Sequence, residues 1–342
     1  MKNAVVYSLA LLIVLTPVFL IPACTKTTST DSDLVGNWKR SSDLEGPARS
    51  EAVSFVIGDK AYITSGYANP DRYKDLWEFD LDRRSWQQLA DFDGIARYSA
   101  VAFVVDGKAY VGTGYDGINK LKDMYMYDPE SNGWTKKNDF TGTARYDAVA
   151  FTVAGKGYIA TGYDNNGARL DLWQYDVAND TYILKSSIPG IKRSASAAFV
   201  ANNKAYIFSG VNNGAAVNEL WSYDPATDNW TIMKKLTNVS DDTYDDNYTS
   251  IQRYNAVAFV MNDKAYITCG ENGSLNSDTW EYDYTNDLWT KKTPFSGTGR
   301  TGAVAFAIKN RGFVLTGRSG TNLSFDNMYE FLPGDKDDTN DN

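Results

Sequence analysis

No histidine occurs among the 342 residues. That absence removes Ser-His-Asp and Cys-His catalysis, histidine-ligated copper or zinc, and any histidine pH switch. Cysteine is nearly as scarce, with only Cys24 and Cys269, so stability has to come from packing and not from a disulfide framework. Proline is limited to 9 residues, and no long amphipathic helical pattern appears. Basic residues are outnumbered: the net charge is −9, and −10 once a leader carrying Lys2 is removed, which argues against nucleic acid as a partner. What the chain does have is 23 Tyr, 9 Trp and 27 Gly, an all-β profile.

A repeat organises these residues. Arginine recurs at Arg49, Arg97, Arg145, Arg193, Arg253 and Arg300, at intervals of 48, 48, 48, 60 and 47. Each is followed 17 residues later by glycine: Gly66, Gly114, Gly162, Gly210, Gly270 and Gly317. A period near 48 is that of a propeller blade and too long for common helical repeats. After each arginine come two apolar runs separated by a polar turn, as at Tyr98–Val105 and Ala109–Gly114, the pattern of inner strands covered on both faces. An aromatic follows (Trp77, Tyr125, Trp173, Trp221, Trp280, Tyr329), and beyond an aspartate turn a second closes the unit (Trp86, Trp134, Tyr182, Trp230, Trp289). Four strands per unit result. The last unit ends near Phe331 without a fourth strand, while Trp38 stands 11 residues before Arg49, where a closing aromatic belongs. The segment around Val35–Arg40 is therefore expected to complete the C-terminal blade, closing a six-bladed ring and removing its open edge.

The Arg, Gly and paired Trp/Tyr spacing resembles the kelch repeat over about residues 35–332, with Ser-Gly, Thr-Gly or Cys-Gly replacing that family's usual Gly-Gly. The fold expected is an all-β, six-bladed kelch-type propeller of four-stranded antiparallel blades. Ahead of it, Ala4–Ala23 is a largely apolar stretch ending in Ile21-Pro22-Ala23-Cys24, which resembles the signal peptide and lipobox of bacterial lipoproteins. An uncleaved membrane anchor is the other reading. The expected organisation is a signal peptide over 1–23, a polar linker over 24–34 lipidated at Cys24, the propeller over 35–332, and an acidic disordered tail over 333–342. The folded part is expected to be exported and held to a bacterial membrane, the outer one above all, periplasmic or surface-exposed.

Strand direction assigns a working face. The arginines opening the first strands, the residues after the second-strand glycines and the blade connections share one face, here called the upper face; the aspartate turns lie on the other. After the glycines stand Tyr67, Tyr115, Tyr163, Val211, Glu271 and Arg318. Together with Arg49, Arg97, Arg145, Arg193, Arg253 and Arg300 they predict an aromatic, cationic bowl suited to a protein or glycan with an acidic group. The arginines also have a structural reading, donating to carbonyls of the neighbouring blade. A ring of unit charges about 8 Å apart repels by roughly 2 kcal/mol per pair at a dielectric of 20, so a counter-charge is required. If Arg145 clamps a ligand, Arg145→Ala should weaken binding and leave the thermal midpoint nearly unchanged. An insertion at 238–248 carries four aspartates but lacks the glycine and terminal glutamate of a calcium loop; it reads as a solvated specificity loop or as one folding back over the arginines. No cofactor or metal is expected.

Two functions follow. The first is a non-catalytic propeller lipoprotein. The second rests on a resemblance to the six-bladed N-acetylneuraminate epimerases, in which Glu51, Asp147 or Glu271 with an arginine would form the acid/base pair and carboxylate clamp of anomer interconversion. Galactose-oxidase-type copper chemistry is set aside by the missing histidines.

Overall fold

The computed structural model describes Met1 and residues 34–237 and 251–340. The leader, Cys24, the linker before residue 34 and the 238–248 insertion lie outside the described residues.

The described residues from Leu34 onward belong to one compact unit and form six four-stranded antiparallel sheets. In the first blade Val53–Ile57 pairs with Lys60–Thr64, which pairs with Leu76–Asp80, which pairs with Ser85–Leu89. Second strands are the most deeply buried, as in Lys108–Gly112, where four of five residues are buried. Fourth strands are the most exposed, as in Thr181–Lys185, where only Tyr182 is buried. Aromatic side chains fill the seams: Phe79 of the first blade lies 5.0 Å from Trp86 and 6.0 Å from Phe313 of the last.

The ring closes as the missing fourth strand requires. Val35–Arg40 pairs antiparallel with Met328–Lys336, placing Trp38 opposite Phe331. Trp38 is fully buried; its ring lies 4.6 Å from Phe331 and 5.0 Å from Phe295, and its indole N–H donates to Thr279 Oγ1 at 3.2 Å. The pairing continues to Lys336, beyond the 332 boundary read from the sequence, because Val35 supplies a partner there.

A second closure runs around the upper face through the backbone. The N–H of each repeat glycine donates to the carbonyl of the next blade's arginine: Gly66 to Arg97, Gly114 to Arg145, Gly162 to Arg193, Gly210 to Arg253, Gly270 to Arg300 and Gly317 back to Arg49, at 2.8–3.2 Å. Gly114 shows why glycine is needed. Its φ is +96°, and a Cβ would stand 2.8 Å from the Tyr98 carbonyl oxygen, a conformation and a contact that other residues reach only with strain.

Candidate functional site

The six arginines are where the sequence places them along the chain, but their guanidinium groups do not line the bowl. All six are fully buried. Arg49 forks onto Asp75 through two bonds of 2.6 Å, Arg97 onto Asp123 at 2.6 and 2.7 Å, and Arg145 onto Asp171 at 2.7 and 2.8 Å. Arg193 is bonded to Glu219. In the fifth blade Arg253 donates to Asn276 Oδ1 at 2.9 Å and to the Asp278 carbonyl at 3.1 Å, with the Asp278 charge nearby; in the sixth an amide replaces the acid, Arg300 donating to Asn327 Oδ1 at 2.7 Å. Other donors meet carbonyls of the same blade, such as Arg49 to Pro47 and Ser65. The structural reading therefore needs one correction: the side chain ties together its own blade, and only the arginine's backbone carbonyl reaches the neighbour. The counter-charge demanded by repulsion is internal. Asp75, Asp123, Asp171 and Glu219 each stand 26 residues after their arginine, a spacing present in the sequence and overlooked because attention fell on the cations.

With the arginines withdrawn, the upper face is built from the residues that follow them. One residue on, each pairs with the residue after the repeat glycine: Ser50 with Tyr67, Tyr98 with Tyr115, Tyr146 with Tyr163, Ser194 with Val211, Tyr254 with Glu271, Thr301 with Arg318. In the first three blades this brings five tyrosines into a continuous arc. Ring centroids are 4.6 Å apart for Tyr67–Tyr98, 5.5 Å for Tyr98–Tyr115, 5.5 Å for Tyr115–Tyr146 and 5.7 Å for Tyr146–Tyr163. Arg72 lies 5.8 Å from the Tyr98 ring, and Lys120 sits 5.9 and 5.8 Å from those of Tyr146 and Tyr163, within cation–π range.

Two residues after each arginine lies an axial ring: Glu51, Ser99, Asp147, Ala195, Asn255 and Gly302. All six have positive φ, between 51° and 62°, and neighbours are joined by hydrogen bonds such as Ser99 N–H to the Glu51 carbonyl at 2.9 Å and Asp147 N–H to the Ser99 carbonyl at 3.2 Å. They rim a cavity of about 110 Å³, floored by the small residues Ala52, Ala100, Ala148, Ser196, Ala256 and Ala303.

The charge here is opposite to the expected one. Ser99 Oγ donates to Glu51 Oε2 at 2.7 Å, Thr301 Oγ1 donates to Glu271 Oε1 at 2.8 Å, and Arg318 approaches Glu51 only to 3.8 Å. Burial raises the Glu51 carboxyl above its ordinary value. Burial, then the Glu51 charge, pushes Asp147 up to about 7. Burial followed by the Glu51 charge also lifts the Tyr98 phenol to about 12. Of the residues expected at the site, Tyr67, Tyr115, Tyr163, Glu51, Asp147, Glu271 and Arg318 thus share the upper face, and the six guanidinium groups lie beneath it. Ser99 and Asn255 are additions that the spacing two after arginine would have revealed. Cys269 lies fully buried, its thiol pushed up to about 11 by burial.

The KLHDC2/KLHL20/DRC7 Kelch-repeats domain model matches three overlapping stretches, residues 28–143, 96–241 and 140–317, most of the chain. The chain belongs to the kelch-repeat family. No curated protein matches it. Among solved structures it is similar to one titled "Structure of YjhT", with a TM-score of 0.71 and 18% identity, covering 84% of this chain and 95% of the other. At that identity the likeness speaks for the fold of the kelch propeller.

Proposed function

We propose that this kelch propeller is a non-catalytic recognition protein that binds a protein or glycan ligand on its upper face, exported and held to a bacterial membrane through a lipid on Cys24. The observation that carries the reading is the five-tyrosine arc from Tyr67 to Tyr163. Tyrosine combines a large apolar contact with a polar tip at small entropic cost, the property that recognition surfaces select. Tyr163 is 41% exposed, and Ile95, Ile118 and Ile191 stand exposed on loops of the same face, giving the arc an apolar border.

The test is to screen the full chain, solubilised in mild detergent, on arrays of glycans and of short peptides. Binding that falls at least tenfold in Tyr115→Ala and Tyr163→Ala, with an unchanged circular dichroism spectrum, supports the reading. Failure to bind any member of either array overturns it. For the anchor, mass spectrometry of the membrane-extracted protein should find a lipid on Cys24; a chain beginning at Met1 refutes it.

A second, epimerase-like reading is favoured by Glu51 and Asp147, two interacting carboxyls of raised pKa around Ser99 with Arg318 nearby. Such a pair could shuttle a proton in anomer interconversion. Its test is the anomerisation rate of N-acetylneuraminate followed by NMR. Acceleration lost in Asp147→Asn would establish the activity.

A further inference from the structure

We propose that the ligand on this face is a protein segment that inserts one lysine or arginine side chain into the axial mouth. The inference rests on the upper face being a recognition surface and reverses the sign of the group it recognises.

Charge comes first. The acidic ligand was expected because six cations were expected in the bowl, and all six are buried beneath it, Arg49, Arg97, Arg145 and Arg193 bonded to carboxylates. What faces the mouth is Glu51, Asp147 and, beside them, Glu271, against the single Arg318. Arg318 pairs with Glu51 at 3.8 Å, whereas the groups acting on Asp147, among the described residues, are Glu51 and Ser99 and no cation. A basic side chain entering here would meet carboxylates already held in place by Ser99 and the backbone ring, the arrangement in which charge-assisted hydrogen bonds gain most. Among the described residues no three acidic side chains are grouped closely enough to hold a metal ion, so an organic cation suits the mouth better.

Charge also separates a sugar from a side chain. Glu51 and Asp147 line the cavity at the centre of the face. An ammonium or guanidinium group supplies the positive charge they call for, which neutral and acidic sugars lack. The surroundings then identify the bearer. The tyrosine arc lies over the first three blades, with Ile95 and Ile118 exposed on the same side, while the axial ring carries only Ala195 and Gly302 in the fourth and sixth. A peptide laid over this half-face could bury apolar side chains against the rings and send one basic side chain to the centre. A polybasic tract fits worse, because Arg72 and Lys120 already occupy the rim above Tyr98, Tyr146 and Tyr163.

The experiment uses the full chain in mild detergent on an array of short peptides of mixed apolar flanks with a central Lys, Arg, Nε-acetyl-lysine or Glu, with neutral and acidic glycans on the same surface. The expected result is binding to Lys or Arg peptides, at least about tenfold weaker for the acetylated forms. A similar loss is expected in Asp147→Asn, where asparagine tolerates the left-handed backbone. Should that variant fold poorly, Glu271→Gln and the acetylation comparison on the unaltered protein still decide. Equal binding of acetylated peptides, or binding confined to Glu peptides or glycans, overturns the basic side chain and leaves the recognition face standing. No binding to any peptide or glycan overturns both.

Discussion

Arg145 and Asp171, 26 residues apart, meet through two parallel hydrogen bonds of 2.7 and 2.8 Å in the third blade, with the guanidinium fully buried. Removing one partner of such a pair strands the other in a poorly solvated site. Arg145→Ala should therefore destabilise the protein by about 3–5 kcal/mol, the reverse of what a ligand clamp would show. Asp171→Asn should cost less, since an amide oxygen can still accept from the guanidinium, as Asn327 does from Arg300. Urea denaturation of the two variants measures both.

Asp147 gives stability a pH dependence of its own. Its carboxyl is raised by burial and by Glu51, with Ser99 opposing, and titrates near 7 in the folded protein. The unfolded chain releases that proton near pH 3.9, so between about pH 4 and 7 the folded state holds more protons and stability falls as pH rises. Glu51, itself raised by burial and by Glu271 but opposed by Ser99 and Arg318, acts in the same direction. Asp75 and Asp171 work oppositely: their carboxyls are lowered against the cost of burial by Arg49 and Arg145, so that their contribution is lost as the solution becomes acidic below about pH 4. Asp147→Asn should flatten the upper window and leave the acid limb in place. Urea midpoints from pH 3 to pH 8 at constant salt test this.

Gly114→Ala should cost about 1–3 kcal/mol, combining a φ of +96° with the collision at the Tyr98 carbonyl. The loss should appear as a lowered thermal midpoint.

Trp38→Ala should cost about 3–5 kcal/mol, because the indole fills the core of the closing blade and donates to Thr279. Guanidinium denaturation provides the readout. The Cys269 thiol, buried and raised, should react with thiol reagents only after denaturation.

The fold was legible because a propeller repeats its chemistry at a fixed interval, and six arginines with six glycines exposed that interval. Strand closure was legible too, since Trp38 occupied the place of a closing aromatic. The direction of the guanidinium groups was harder to read. A cation at the start of a strand looks the same in sequence whether it points to solvent or folds under its own blade, and only Asp75, Asp123, Asp171 and Glu219 distinguish the two. In the fifth blade that signal moves one place, to Asp278, and in the sixth it becomes Asn327. The tyrosine arc is legible in part: Tyr67, Tyr115 and Tyr163 follow from the glycines, whereas Tyr98 and Tyr146 stand next to the arginines at strand starts, where alternation can turn a side chain to the surface or to the seam. Their place was fixed by the pairing of Tyr98 with Tyr115 and of Tyr146 with Tyr163.

The strand Val35–Arg40 has a kinetic consequence. Trp38 donates to the carbonyl of Thr293, 255 residues away, so the first strand of the propeller to be synthesised is among the last to find its partner. Until Met328–Lys336 emerges, the chain carries one unpaired edge at each end. Contacts of such long range fold slowly, and the interval before closure is when the growing chain is most open to pairing with a second copy of itself.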